Sequence, residues 1–337
     1  ILGKGKSLPS IYGANEPQVN SNNLRTKGYE LVLGWRDSFK LAGSTFSYGI
    51  TGTFSDYTAE YTKCDNPSGL IGDPYVGKKY GEIWGYKVDG LFRNDEEAAE
   101  YASRVDLSKV AAGYYSATGA YGKGVRGGDI KYLDLDGSGI VDGGKGTLED
   151  PGDRRVIGNS SPRYQYGLTL NLSWYGFDLS VFMQGIGRLD WYPGADNLRF
   201  WGPYSRPYAT FIPKNFMSQV WSESNPDAYL PRARAYTSLN STQGTAYYTN
   251  DRYLQNIRYL RLKNLTVGYT IPATLTKKAG IDQIRIYFSG ENLCYWSPLK
   301  KNSKYVDPEA AINRSGVNNN AYYPWAKTFM FGIDITF

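Results

Sequence analysis

The feature that most constrains this chain is a two-residue alternation of apolar and polar side chains, sustained over roughly ten residues at a time. From Tyr164 to Trp174, one face carries Tyr164, Tyr166, Leu168, Leu170, Leu172 and Trp174, and the other Gln165, Gly167, Thr169, Asn171 and Ser173. Phe46, Tyr48, Ile50 and Phe54 alternate with Thr45, Ser47, Gly49, Thr51, Thr53 and Ser55, and Tyr29, Leu31, Leu33 and Trp35 with Glu30, Val32, Gly34 and Arg36. The last residues repeat the pattern, with Phe329, Phe331, Ile333, Ile335 and Phe337 on one side and Gly332, Asp334 and Thr336 on the other. Soluble sandwiches also alternate, but their strands are usually ~5–6 residues long. Strands of about 9–11 residues with aromatics at both ends suit a sheet whose outer face meets lipid. The expected fold is therefore all-β, an antiparallel transmembrane β-barrel wall with long loops.

Connection lengths agree. Strands near 29–37 and 44–55 are expected to be joined by about six residues, and 164–174 meets 177–187 across Tyr175-Gly176. Strands near 259–271 and 281–292 are joined through Pro272 and a short Lys277-Lys278 segment. The other connections, roughly 56–162, 188–257 and 293–321, are long and alternate with the short ones, so all three emerge on one side. Short turns on one rim and long loops on the other place the C-terminus at the short-turn, periplasmic rim. Leu260 and Leu262 are out of phase with Leu265, Val267 and Tyr269, which predicts a β-bulge near Lys263-Asn264.

Composition narrows the function. The 337 residues include 39 Gly and 31 Tyr, which favour turns and strands, and no His. A Ser-His-Asp triad and an H-E-x-x-H zinc site are thereby excluded, and no enzyme is expected. The net charge of +6 comes from 38 basic and 32 acidic residues with no basic block, so no nucleic-acid partner is expected. No run approaches the roughly 20 apolar residues of a membrane helix. The mean hydropathy of −0.48 fits a barrel, whose strands turn only every second residue to lipid. Cys64 and Cys294 are too few for a disulfide framework; both fall on the long-loop side, and two unpaired thiols are expected rather than a bridge. The chain enters β-like sequence directly from Ile1, and an exported barrel is expected to carry its signal upstream.

The long segments carry their own signals. Asn94 before Asp95-Glu96-Glu97 predicts a capped helix, and a second short helix is predicted from Pro213 to Trp221. Asp134, Asp136 and Ser138 at positions 1, 3 and 5, Gly139 at 6, the Ile140 carbonyl at 7 and Asp142 at 9 follow most of an EF-hand spacing. They predict a divalent cation, Ca2+ or Mg2+, with no organic cofactor. Position 12 is Lys145 instead of the bidentate Glu; Asp129, Glu149 and Asp153 are substitutes, and an ion-free Asp/Gly turn is the alternative. Trp191, Tyr192, Phe200, Trp201 and Tyr204 crowd the second long loop, as sugar-stacking or partner-anchoring residues or as loop core.

Longer stretches resemble a known family. YLQNIRYLRLKNLTVGYTIP from Tyr253 and IRIYFSGENL from Ile284 resemble the last strands of the SusC/RagA family of TonB-dependent outer-membrane transporters. GYELVLGWRD from Gly28, YGEIWGYKVDGLF from Tyr80, GDIKYLDLDGSGIVD from Gly128, YGFDLSVFMQG from Tyr175 and WSESNPDAYLPRA from Trp221 are similar too, in the right order. The resemblance implies a 22-stranded barrel around an N-terminal plug. Residues 1–337 are expected to be its C-terminal portion, with roughly eight strands and no plug. Strands are expected near 27–37, 43–55, 163–174, 177–188, 258–271, 281–292 and 323–337, with outer loops near 56–162, 188–257 and 293–321. The implied setting is the bacterial outer membrane, with lipid and lipopolysaccharide around the wall. The implied partners are a SusD-like surface lipoprotein lid and, through the N-terminal region, TonB-ExbB-ExbD. The implied activity is import of oligosaccharides, less readily peptides; a non-transporting receptor or adhesin barrel is the alternative. Outer-membrane proteins commonly end on Phe, which makes Phe337 the expected assembly signal.

Overall fold

The computed structural model describes residues 18–115, 124–205, 214–234, 244–312 and 325–337, with positions 2–4, 11, 13, 212 and 239 besides. Seven long strands form one antiparallel sheet: β1 (Asn23–Leu41), β2 (Ser44–Lys63), β3 (Arg163–Trp174), β4 (Phe177–Arg188), β5 (Tyr259–Thr270), β6 (Gln283–Trp296) and β7 (Thr328–Thr336). Their order in space is their order in sequence, an up-and-down meander with β1 and β7 at the edges. The twelve residues of β3 rise ~3.4 Å each, so at ~45° tilt they cover roughly 28 Å, close to the ~25 Å apolar band of an outer-membrane barrel.

The register aligns the alternating residues into one continuous face. Leu33 and Trp35 on β1 lie opposite Gly52 and Ile50 on β2, and Ile50 lies opposite Leu170 on β3. Leu170 meets Val181 on β4, Val181 meets Leu265 on β5, and Val267 meets Phe288 on β6, which meets Phe331 on β7. Leu33 is 64% exposed, Val267 41% and Phe331 83%, and Leu168, Leu170 and Leu172 all lie outside any closed core. Aromatics mark the ends of this face: Tyr29, Phe54 and Tyr164 towards the loop rim, with Phe177 and Tyr269 (ring centroids 4.5 Å apart) beside Trp174 towards the turn rim.

The first hairpin corrects one expectation. Its turn is two residues, not six: Ala42 and Gly43 both have positive φ, as do Tyr175 and Gly176 in the second hairpin. Such turns match the strand twist, and β1 runs past its expected end near 37, where Phe39 lies opposite Phe46 with ring centroids 5.3 Å apart. The predicted bulge is present. Registers on both neighbours skip Lys263, between Leu262 and Asn264 of β5.

The hydrophobic core lies mainly in the connections and meets the sheet only at its loop rim, at Ile186 and Tyr259. Phe92, Leu107, Ile130, Tyr132, Trp201, Tyr253, Ile257 and Leu299 are all under 2% exposed, and they come from all three long connections. The predicted first helix, α1 (Asp95–Ala102), is capped by Asn94, whose side chain accepts from the Glu97 amide, while Glu97 accepts from the Arg93 amide. Pro213, the expected start of the second helix, lies outside the described residues. The rest of that segment forms only a 3-10 turn, Met217–Gln219, because Val220 turns extended and bridges Leu230.

Candidate functional site

The candidate site is the loop rim of the sheet, where the three long connections pack into one cap. Two small antiparallel pairs, 82–86 with 154–159 and 88–91 with 130–132, shape the first connection. Tyr132, fully buried, donates from its hydroxyl to the Thr245 carbonyl in the second connection and packs edge-on to Tyr86. Asp129 accepts a two-pronged bond from Arg234 at 2.9 and 2.6 Å, again joining first to second. The Gln255 amide donates to the Tyr229 hydroxyl at 2.8 Å and accepts from Asn302 of the third connection at 2.9 Å.

The third connection is also tied to the inner wall. Arg261 on β5 is 2% exposed and holds Asp307 at 2.5–2.6 Å, and its Nε lies 3.0 Å from Glu309. Lys263, the bulge residue, reaches the same Glu309 at 2.7 Å. A bulge re-aims the side chain it carries. At the opposite rim, Arg285 on β6 joins Asp178 on β4 and Asp334 on β7 across the polar face. It crosses β5 at Gly268, where a Cβ would come within 2.4 Å of Asp178.

In the acidic loop, part of the predicted set comes together. Carboxylate oxygens of Asp134, Asp136 and Asp153 lie within 4.8 Å of one another. Asp134 accepts from the amides of Gly137 and Gly139 at 2.8 and 2.9 Å, a curvature that the positive φ of both glycines permits. Ser138, Ile140 and Asp142 are engaged locally: the Ser138 hydroxyl donates to the Ile140 carbonyl at 3.0 Å, and Asp142 accepts from the Gly144 amide at 2.6 Å. Of the substitutes for position 12, Asp153 joins the cluster, whereas Asp129 is held by Arg234. Burial pushes the Asp153 carboxyl above the usual carboxylate range, against the amide bonds it accepts from Leu135 and Asp142. The Ser138 amide holds the exposed Asp136 carboxyl below that range.

The aromatic group is divided. Phe200, Trp201 and Tyr204 are buried, with Trp201 donating to the Pro193 carbonyl at 3.1 Å and Tyr204 to the Pro231 carbonyl at 2.6 Å. These three pack as loop core, the packing alternative of the sequence reading. Trp191 and Tyr192 are half-buried; Trp191 packs edge-on to Phe200, and Tyr192 donates to the Tyr248 carbonyl at 3.0 Å. Burial lifts the phenols of Tyr192 and Tyr204 far above the ordinary tyrosine range, so both remain neutral donors. Cys64 and Cys294 are free thiols.

The chain is similar to TonB-dependent receptor P3 of Formosa agariphila, 24% identical over 353 residues that cover 98% of this chain and 30% of that protein. TonB-dependent receptor P26 of the same organism is 25% identical over 350 residues. TonB-dependent receptor SusC of Bacteroides thetaiotaomicron is 25% identical over 201 residues, 58% of this chain. The fold is similar to part of a solved structure of the "RagAB peptide transporter", with a TM-score of 0.61 at 18% identity over 98% of this chain and 31% of that one.

In sequence and in fold the chain is similar to TonB-dependent receptors of the SusC/RagA kind. It spans about a third of the length of these relatives. No family model matches it. For a SusC/RagA-like wall, the sequence pointed to the strands and to Asp134 and Asp136. It did not point to the pairing of Arg261 with Asp307 and of Lys263 with Glu309, each spanning 46 residues with no local signature.

Proposed function

We propose that the chain is part of the wall and outer cap of an outer-membrane TonB-dependent importer, with oligosaccharides as substrate and peptides as the competing class. One observation carries the reading: an apolar face running unbroken over seven strands, with all three long connections fused into one cap on a single rim. In hydrocarbon every backbone donor and acceptor needs a partner, so the edges on β1 and β7 call for further strands that close the barrel. The loop rim faces the cell exterior, where a SusD-like lipoprotein is the partner, and the short-turn rim faces the periplasm, where TonB-ExbB-ExbD supplies energy. No catalytic step is assigned. Cells producing the full-length protein should accumulate a labelled oligosaccharide only when TonB is functional. Surface binding without TonB-dependent uptake would contradict import and favour an adhesin.

The acidic loop enters this reading as a brace for the cap. Asp134, Asp136 and Asp153 would hold a calcium ion, with Ile140 as carbonyl donor, and the cation would relieve the charge gathered there. Phe337, 84% exposed at the end of β7, fits the role of an assembly signal.

A further inference from the structure

Between the second and third connections lies a narrow recess with about 50 Å3 of solvent-accessible volume, room for a charged substituent rather than for a whole sugar chain. The short helix Leu198–Trp201, the turn Met217–Gln219 and the 3-10 segment Pro298–Lys301 form its walls. Four cationic side chains line it, Arg199, Lys300, Lys301 and Lys304, and no carboxylate does. The acids next along the third connection, Asp307 and Glu309, are already held by Arg261 and Lys263. Lys300 donates to the Tyr295 carbonyl and rests 3.8 Å from that ring's centroid. Lys301 and Lys304 are exposed and make no ion pair with any of the described residues.

Like charges gathered in one concavity raise the local potential, and an anion entering it relieves their repulsion. The remaining lining tells anions apart. Asn215 and Gln219 bring amides suited to hydroxyl groups. No strand of the sheet contributes to the lining, so an extended peptide finds no backbone ladder there. We propose that this recess binds the carboxylate or sulfate ester of an acidic oligosaccharide, with Lys301 and Lys304 as the main charge partners. This deepens the import reading and rests on it.

The test uses the full-length protein in detergent and calorimetry with four probes: trigalacturonate, a sulfated carrageenan tetrasaccharide, neutral maltotetraose and an aspartate-rich hexapeptide. The comparison is with the double variant Lys301→Ala, Lys304→Ala, whose exposed positions leave the melting temperature unchanged. At least one acidic saccharide should bind and weaken roughly tenfold or more in the variant, while maltotetraose binding does not respond. Unchanged acidic-saccharide binding in the variant would overturn the proposal, as would preference for the hexapeptide. Uptake separates the two readings. Lysine-dependent binding without import would sink the import reading and leave the recess standing; import indifferent to the substitutions would do the reverse.

Discussion

Single residues here act mainly through charge and space. Asp153 is a carboxylate whose folded-state pKa is raised, so its ionisation disfavours the folded loop. Its contribution is least harmful below the unfolded value and is lost as pH rises through the carboxylate range. Asp136, held low, pulls the other way in both proteins, so the comparison with Asp153→Asn isolates Asp153. Without calcium, the parent loop should become easier to proteolyse relative to Asp153→Asn as pH rises from acid to neutral, and saturating calcium should shrink that difference; limited proteolysis across pH, scored at residues 134–153, reads this out. Gly268→Ala forces Arg285 off Asp178 across the polar face and should destabilise by about 1–3 kcal/mol, measured by denaturant unfolding in detergent. Trimming Phe337 removes only about 1.5–3 kcal/mol of burial at most. Its deletion should therefore lower the amount of assembled full-length protein in the outer membrane far more than its melting temperature. Normal abundance would reduce Phe337 to packing.

At the scale of elements, the hairpins and the bulge were legible because alternation and phase are local. The Ala42-Gly43 turn was missed because alanine does not advertise the left-handed conformation that Asn or Gly would. The helix expected up to Trp221 reads well as composition, but pairing of Val220 with Leu230 draws its end into extended chain. Trp201 and Tyr204 could be read as contact residues or as loop core, because sequence gives aromatic clustering without saying which rings other loops will cover. The acidic loop was half legible: its curvature follows from local spacing, whereas the role of Asp153 depends on how the chain returns after Pro151. The anchor of the third connection is the element that sequence hid most. Arg261→Met should leave Asp307 and Glu309 partly unpaired, costing about 3–5 kcal/mol locally. Hydrogen exchange should quicken over 303–311 while β3 and β4 keep their protection; uniform change would place the effect elsewhere.

The whole molecule turns the usual arrangement outward. The apolar sheet face is exposed, and the packed core sits in the loops above it. In the proposed barrel wall, lipid would make such an arrangement stable, because each outward residue would leave water without needing a protein neighbour. The polar face, with Thr51, Asn171, Ser180 and Thr266, would line the lumen, and the cap would close its outer end. The decisive measurement is site-specific accessibility in native outer membranes. Single cysteines at Leu170 and Val181, and at their neighbours Asn171 and Ser180, would be placed in a full-length background with Cys64 and Cys294 replaced by serine. Probes on Leu170→Cys and Val181→Cys should be quenched by lipid-borne nitroxides and resist a water-soluble maleimide, while Asn171→Cys and Ser180→Cys should show the reverse. Maleimide labelling of the first pair with no lipid quenching would contradict the barrel wall.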